Sequence, residues 1–138
     1  MTVEKLSDVE FGEDLPAFTP DTSLETGARF AEIAWGIRAN RFSNHEKARE
    51  EGLPAAMIPG ILNQGYLVAM IHHWAPVAEV VSVDTVFRAP VTADEPHSIT
   101  GVVTDIDDGE GKVEIDLTVV NQKGETRVFG TAVIKLPV

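Results

Sequence analysis

The sequence contains no cysteine and few basic residues, and both shortages exclude classes of function. Without cysteine there is no disulfide bond, no thiolate nucleophile and no cysteine-ligated metal centre, and the four histidines do not form an H-E-x-x-H motif. Eleven Lys and Arg against 22 Asp and Glu give a net charge of −11, so a nucleic-acid backbone would meet a repulsive field. We therefore expect no nucleic-acid partner, no metal site and no cofactor.

The sequence also lacks a long apolar run and a basic leader. Its longest near-apolar stretch, residues 58–74, is interrupted by polar side chains and is shorter than the continuous span that a bilayer requires. Residues 1–13 have neither a basic start nor an apolar core, so we expect no signal peptide, no membrane association and a cytoplasmic location. A chain of 138 residues that is 43% hydrophobic has the size and balance of one compact domain, residues 1–138.

Apolar periodicity predicts an α+β architecture. Residues 58–74 are apolar around most of a helical circumference, so we expect a helix that a sheet wraps on most sides. Ser23 is a candidate N-cap for an earlier helix, and residues 46–51 predict a short second one. After Ala78 the apolar residues alternate, which predicts four strands, at residues 81–87, 99–106, 113–119 and 126–136.

Turn chemistry predicts how these strands pair. Residues 107–111 and 121–124 are rich in Asp, Asn and Gly, as is typical of hairpin turns, so the last three strands should form an antiparallel meander. A sheet curled around one buried helix satisfies this order, and so does a plain two-layer sandwich. Either layer leaves a sheet edge and much of the helix uncovered, which predicts a dimer.

Two groups of segments resemble a known family. The first group is Val86-Phe87-Arg88-Ala89-Pro90-Val91, Gly101-Val102-Val103, Asn121 with Gly124, Gly130-Thr131-Ala132-Val133 and Leu136-Pro137. The second, upstream, is Phe30-Ala31, Ala48 with Gly52-Leu53-Pro54, and Ile58-Pro59-Gly60. In order and spacing they resemble the MaoC-like hotdog proteins, of the enoyl-CoA hydratase and acyl dehydratase type.

The resemblance implies a fold, a ligand and a reaction. The implied fold is the hotdog, a long antiparallel sheet around one central helix. The implied ligand is an acyl thioester of coenzyme A or of acyl carrier protein, and the implied chemistry is lipid metabolism, the addition or removal of water between C2 and C3. The implied assembly is a homodimer or a heteromer with a related hotdog subunit.

The catalytic motif of this family, an Asp followed five residues later by a His, is degenerate here. Counting back without gaps from the segment that begins at Ala48 places the motif on Ile37 and Phe42, neither of which can transfer a proton. Counting forward from Phe30-Ala31 places it on Gly36 and Arg41.

A short deletion restores one proton-transferring group to the motif. It brings Asn40 and His45 onto the catalytic pair, with the Asn amide in place of the carboxylate. His45 would then be the acid/base and Asn40 would orient a water molecule. Alternatively, His45 is an ordinary exposed residue at a helix start capped by Asn44, and Asn40 is a turn residue.

Gly60 is the predicted substrate-binding residue, together with Pro59 before it. A glycine that opens the long helix leaves backbone N–H groups unpaired at a positive helix end, which suits a thioester oxygen that gains enolate charge. The alternative is that Gly60 only allows close packing. The family has a His where this chain has Pro59.

Other polar residues are assigned structural roles. His72 and His73 lie at the negative end of the long helix, His97 is expected in a loop, and Asp84 is expected to face solvent. A hotdog thioesterase, the weakest possibility, would use Asp84 or Glu79 as base or nucleophile.

Two main hypotheses therefore stand. In the first, the chain is an enzyme, an enoyl-thioester hydratase or hydroxyacyl dehydratase that uses His45, Asn40 and Gly60. In the second, it is a non-catalytic substrate-binding subunit of a heteromeric hydratase. The degenerate motif favours the second, whereas the overall resemblance favours the first.

Overall fold

The computed structural model describes residues 2–138 and contains the elements predicted from periodicity. After a short 3₁₀ helix, Leu6–Asp8, three helices precede four strands. The helices are α1 (Leu24–Trp35), α2 (His45–Glu50) and α3 (Gly60–Trp74). The strands are β1 (Glu79–Phe87), β2 (His97–Asp107), β3 (Lys112–Asn121) and β4 (Thr126–Lys135). Each boundary lies within about two residues of its predicted position, the usual fraying of element ends.

The strands form one antiparallel sheet in the order β1-β4-β3-β2. The pairing of β2 with β3 and of β3 with β4 confirms the predicted meander. Both predicted hairpin turns contain a glycine with positive φ, Gly111 at 70° and Gly124 at 76°. Asn121 Oδ1 accepts the amide hydrogens of Lys123 and Glu125, at 3.0 and 2.9 Å, which closes the second turn.

Side-chain caps start the first two helices. Ser23 Oγ accepts the Thr26 amide hydrogen at 3.2 Å, which confirms the predicted N-cap of α1. Asn44 Oδ1 accepts the Lys47 amide hydrogen at 3.0 Å and caps α2. The chain leaves α1 through Gly36 in the left-handed conformation, at φ 69°.

One face of α3 packs on the sheet. Its buried residues follow a helical stripe and are Asn63, Leu67, Met70, Ile71 and Trp74. Gly101 on β2 admits this helix, since a Cβ there would lie 3.0 Å from the end of Met70. Most of α3 is covered, as expected from its apolar circumference: of its 15 residues, Ile61 is 52% exposed, Gly65, His72 and His73 are also exposed, and the rest are buried or half-buried. These four residues are the part of the helix that one sheet layer leaves uncovered.

The two edges of the sheet differ. The N-terminal segment covers the edge at β2 through two isolated bridges, Asp14 to Val102 and Phe18 to Ile99, and through the Leu15 amide, which donates to Gly101 at 2.8 Å. Within residues 2–138, no strand pairs with the outer edge of β1. The same residues include no helix that is long and apolar enough to cross a bilayer.

Candidate functional site

An apolar cavity of about 310 Å³ opens beside the first turn of α3. Its wall comes from the segment before α3, the first turn of α3, the chain that leaves β1, and β4. The lining residues are Leu53, Met57, Ile58, Gly60, Asn63, Phe87, Arg88, Ala89, Pro90, Val91 and Val128. The Ile58 amide donates to Val91 O and the Ala93 amide to Ala56 O, both at 2.8 Å, so two opposite walls are tied by backbone hydrogen bonds.

The first turn of α3 has unpaired donors, and one of them, the amide of Gly60, belongs to a residue that lines this cavity. Pro59 occupies the N-cap position, is buried, and has no side chain that could accept a hydrogen bond. Among the described residues, the amide hydrogens of Gly60 and Ile61 have no acceptor, whereas those of Leu62 and Asn63 bond Pro59 O. A helix start with free amides attracts negative charge, because both the N–H groups and the helix dipole are positive there.

Gly60 also sets the width of the cavity at this point. A Cβ at Gly60 would lie 3.3 to 3.4 Å from three atoms of the Phe87 ring, closer than most side chains approach each other. The glycine therefore lets the Phe87 ring pack against the start of α3. The sequence offered two roles for Gly60, amide donor and packing residue, and the geometry is consistent with both.

Asn63 is the polar side chain on the buried face of α3. It lines the cavity and is only 4% exposed, yet no hydrogen bond of its side-chain amide is found among residues 2–138. No fully inaccessible side-chain nitrogen or oxygen atom of the described residues lacks a partner, so the Asn63 amide keeps access to the cavity. A ligand that fills the cavity without bonding this amide leaves it unpaired, at a cost of about 1–3 kcal/mol. A ligand with a matching polar group avoids that cost.

The residues that line the cavity carry one charge, the guanidinium of Arg88. Arg88 is exposed at the mouth and forms no ion pair among the described residues, while the lining residues include no His, Asp or Glu. The wall can therefore bind an apolar chain, polarise an oxygen at Gly60 and attract an anion at Arg88. Within this wall no side chain exchanges a proton near neutral pH.

His45 lies at the first position of α2 and is not part of the cavity wall. Its Nδ1 accepts the Ala56 amide hydrogen at 3.1 Å, and its Nε2 lies 2.9 Å from Asp94 Oδ2. Because Nδ1 accepts, Nε2 carries the proton and donates to the carboxylate. Asp94 also accepts the Leu24 amide hydrogen at 2.9 Å, and this bond, followed by that from His45, lowers the pKa of its carboxyl group. Both ring nitrogens thus join α2 to neighbouring segments.

Asn40 lies in the loop before α2 and closes a turn. Its Oδ1 accepts the Phe42 amide hydrogen at 2.8 Å and lies 3.3 Å from Ser43 Oγ, which donates to Arg38 O. This geometry is the turn role that the sequence offered as an alternative. No direct hydrogen bond joins Asn40 to His45 among the described residues.

One of the ungapped motif positions, Phe42, lies in an aromatic cluster. The ring of Phe42 is 5.5 Å from that of Trp35, which packs edge-on against Phe30 at 5.6 Å. The Phe42 carbonyl and the Pro59 ring flank the same Gly27, within 3.6 and 3.7 Å of the position of a Cβ there. Phe42 is therefore the motif residue that approaches the start of α3, and Ile37 is 40% exposed.

The remaining polar candidates have structural or exposed positions. His72 Nε2 contacts Ala78 O at 3.1 Å, and His73 packs edge-on against Phe18. The expectation that His97 is a loop residue is wrong: it begins β2, is 7% exposed, and its Nδ1 lies 2.9 Å from Glu95 O. Pairing with β3 draws it into the sheet.

Two carboxylates of β1, those of the thioesterase hypothesis, are exposed. Asp84 faces solvent, as predicted from its alternation, and Glu79 is likewise exposed. Neither residue lines the cavity.

Comparison with solved structures places this fold among hydratases and dehydratases. The R-hydratase PhaJ1 from Pseudomonas aeruginosa, in unliganded form, matches with a TM-score of 0.85 at 18% identity over 96% of this chain and 85% of that one. The (R)-hydratase from A. caviae involved in PHA biosynthesis matches with a TM-score of 0.85 at 17% identity over 94% and 98%. The ChsH1-ChsH2 complex from Mycobacterium tuberculosis matches with a TM-score of 0.81 at 19% identity over 93% and 98%.

MaoC-like dehydratases are also among the matching structures. The chain has the hotdog fold of these proteins, and the resemblance seen in the sequence is confirmed at the level of fold. No protein-family model matches the sequence, and comparison with curated proteins finds no match.

The residues that sequence reasoning did not select are Asn63, Phe87 and Arg88. Asn63 carried a signal, since it interrupts the apolar helix three residues after Gly60. Phe87 and Arg88 lie within a segment that supported the resemblance, but their place in the cavity wall depends on how β1 packs beside α3.

Proposed function

We propose that the chain is an acyl-thioester-binding hotdog subunit of the hydratase or dehydratase type. One observation carries the proposal: Gly60, whose amide hydrogen has no acceptor among residues 2–138, lines an apolar cavity at the start of α3. Such a donor suits a thioester oxygen, which becomes more negative when a proton leaves C2 or when water adds to C3. Gly60 donates to this oxygen, Pro59 holds the helix start without capping it, and the acyl chain lies along the apolar wall.

The carrier of the acyl group is coenzyme A or acyl carrier protein. Both carry phosphate groups beyond the thioester, and Arg88 offers an exposed guanidinium at the cavity mouth. In a chain with a net charge of −11, such an unpaired cation beside the cavity favours an anionic carrier. The proposed location of the protein is the cytoplasm.

We propose further that the acid/base groups for water addition come from a related hotdog subunit. Hydration between C2 and C3 requires proton transfer, and the cavity wall of this chain holds no group suited to it. The open edge of β1 and the exposed residues of α3 are available to that subunit, and the apolar residues Ile61, Val81 and Phe87 are each about half exposed there. Among the structural neighbours, the ChsH1-ChsH2 structure is itself a complex of two proteins.

A self-sufficient hydratase is the second candidate, and one contact favours it. The Asp94 carboxylate lies 2.9 Å from His45. In this candidate it takes the place of the Asp that the family's catalytic motif has and this chain lacks. In this alternative His45 is the acid/base, Asn40 orients the water, and movement of α2 brings them to the thioester held at Gly60.

Turnover and binding measurements separate the two candidates. The chain is purified alone and with any co-encoded hotdog protein, and a panel of enoyl-CoA thioesters is tested for hydration and, by calorimetry, for binding. For a binding subunit we expect binding without turnover by the chain alone, and turnover with the partner. Failure to bind any acyl thioester in either form would refute the proposed function.

Variants test the alternative directly. If the isolated chain does hydrate enoyl thioesters, His45→Ala should lower kcat by about a hundredfold, as for the loss of a positioned acid/base, and Asn40→Asp should maintain or raise activity. Activity unaffected by His45→Ala would remove the second candidate.

Light scattering tests the assembly. We expect the mass of a dimer, homomeric or with a related hotdog subunit, and Val81→Lys on the open edge should shift it toward the monomer. The substitution Lys135→Gln on β4 is the control and should leave the mass unchanged. A monomer at micromolar concentration with no co-purifying partner would contradict this assembly.

A further inference from the structure

Asn63 occupies a position at which the sheet otherwise buries apolar residues. It shares the buried face of α3 with Leu67, Met70 and Trp74, and it is the polar member of that face. A leucine there would continue the stripe and leave no polar group to satisfy. Its amide makes no hydrogen bond within residues 2–138 and borders the cavity, so its hydrogen-bonding capacity is directed to whatever the cavity holds.

The spacing of Asn63 from Gly60 limits what that ligand can be. Three residues of helix separate them by about 4.5 Å along the axis, and both line the same cavity. In an acyl thioester with an oxygen on C3, that oxygen and the carbonyl oxygen lie about 3–5 Å apart, given ordinary bond lengths and free torsion. A ligand whose carbonyl oxygen meets the Gly60 amide therefore brings a C3 oxygen near Asn63.

We propose that Asn63 is a specificity residue that hydrogen-bonds the C3 hydroxyl of a 3-hydroxyacyl thioester. The inference rests on the proposed function, in that it takes Gly60 as the site of the carbonyl oxygen. A hydroxyl both donates and accepts, and a side-chain amide matches it with one acceptor and two donors. An acyl group without an oxygen on C3 leaves the Asn63 amide unpaired. The protein thus binds a 3-hydroxyacyl thioester more tightly than the corresponding thioester without the C3 oxygen.

Calorimetry with two matched ligands tests this role. The probes are 3-hydroxybutyryl-CoA, each enantiomer separately, and butyryl-CoA, titrated into the purified chain in its native assembly. We expect at least one hydroxy enantiomer to bind about tenfold more tightly than butyryl-CoA, the effect of one satisfied hydrogen bond. Asn63→Leu should abolish this preference by weakening only the hydroxy ligand.

Two further variants make the test specific to the Asn63 amide. Asn63→Ser retains a polar group and should retain part of the preference. Gln64→Leu removes the neighbouring amide, which donates to Thr85 Oγ1 at 3.0 Å and does not line the cavity, and should leave the preference unchanged. A thermal melt of each variant verifies folding, and we expect Asn63→Leu to melt no lower than the parent chain.

The outcomes distinguish this inference from the proposed function. If both ligands bind equally, or if Asn63→Leu leaves the preference intact, Asn63 has no role in specificity while acyl-thioester binding stands. If neither ligand binds the parent chain, the proposed function itself fails.

Discussion

The starts of α2 and α3 are built in opposite ways. At α2 the Asn44 side chain caps the helix, and both ring nitrogens of His45 have partners. At α3 the cap position is Pro59, the first amides are free, and an apolar cavity lies beside them. Polar groups thus stabilise the fold at α2, whereas at α3 they remain available to a ligand. The comparison teaches that the residue with the most familiar chemistry, His45, does not line the cavity beside the free amide of Gly60.

The largest expected effect comes from His45→Ala. It removes the acceptor of the buried Ala56 amide and the contact with Asp94, so we expect a loss of about 1–3 kcal/mol in the free energy of unfolding. Acyl-thioester affinity should change less than about twofold, because His45 does not line the cavity. Denaturant titration and calorimetry measure the two quantities.

A second histidine provides the control for that variant. His73 is exposed and its substitution by Ala should change stability by less than about 0.5 kcal/mol. If His45→Ala left stability unchanged and weakened ligand binding, the start of α2 would serve the ligand rather than the fold.

Gly60→Ala tests the start of α3. Its methyl group would lie 3.3 Å from the Phe87 ring and narrow the cavity beside the free amide, so we expect about tenfold weaker acyl-thioester binding, or about 1.4 kcal/mol. Gly65→Ala is the matched control in the same helix. No atom lies within 4 Å of its added Cβ, so it should stabilise the chain by about 0.5–1 kcal/mol and leave affinity unchanged. Equal affinities for both variants would contradict the site at Gly60.

Asn44→Ala tests the cap at the start of α2. Loss of the bond to the Lys47 amide should cost about 1 kcal/mol of stability, the usual value of an N-cap side chain. Ligand affinity should stay constant in the same calorimetric titration. A change in affinity without a change in stability would show that α2 serves the binding site.

The smallest effect concerns pH. Because hydrogen bonds from Leu24 and His45 lower the pKa of Asp94 below 3.8, the ionised carboxylate stabilises the fold above that pH, and this contribution is lost as pH falls through the lowered value. Asp94→Asn removes the titration and retains an acceptor, and Asn tolerates the φ of 64°. We expect the melting temperature of the parent chain to exceed that of the variant slightly at pH 6, with the difference shrinking as the pH is lowered into the acid range. A constant difference would exclude this linkage.

Local sequence patterns predicted much of the fold. Ser23, the apolar stripe of α3, the alternation in the strands and the glycines of the hairpins each act over a few residues, and each of these elements is present. An exposed part of α3 was expected, because one sheet layer cannot cover a whole helix, but an apolar circumference does not tell which residues remain exposed. His97 was assigned to a loop since its burial depends on pairing with β3.

The candidate site was only partly predictable for the same reason. Gly60 was selected because a glycine after Pro59 at a helix start leaves amides free, which is a local property. The cavity also needs Phe87, Arg88 and Val128, which come from β1 and β4 and reach Gly60 only when the sheet packs against α3.

The sequence by itself determined the composition limits, the order of helices and strands, the helix caps, and the hotdog resemblance, because each depends on neighbouring residues or on residue counts. Tertiary structure alone decided which polar groups remain unpaired. His45 gains Asp94 and Ala56 as partners across long stretches of chain, while among residues 2–138 the Asn63 side-chain amide and the Gly60 backbone amide find none. Hydrogen-bond satisfaction is a property of atoms brought together by folding. The unpaired polar groups that can bind a ligand are therefore defined only by the folded structure.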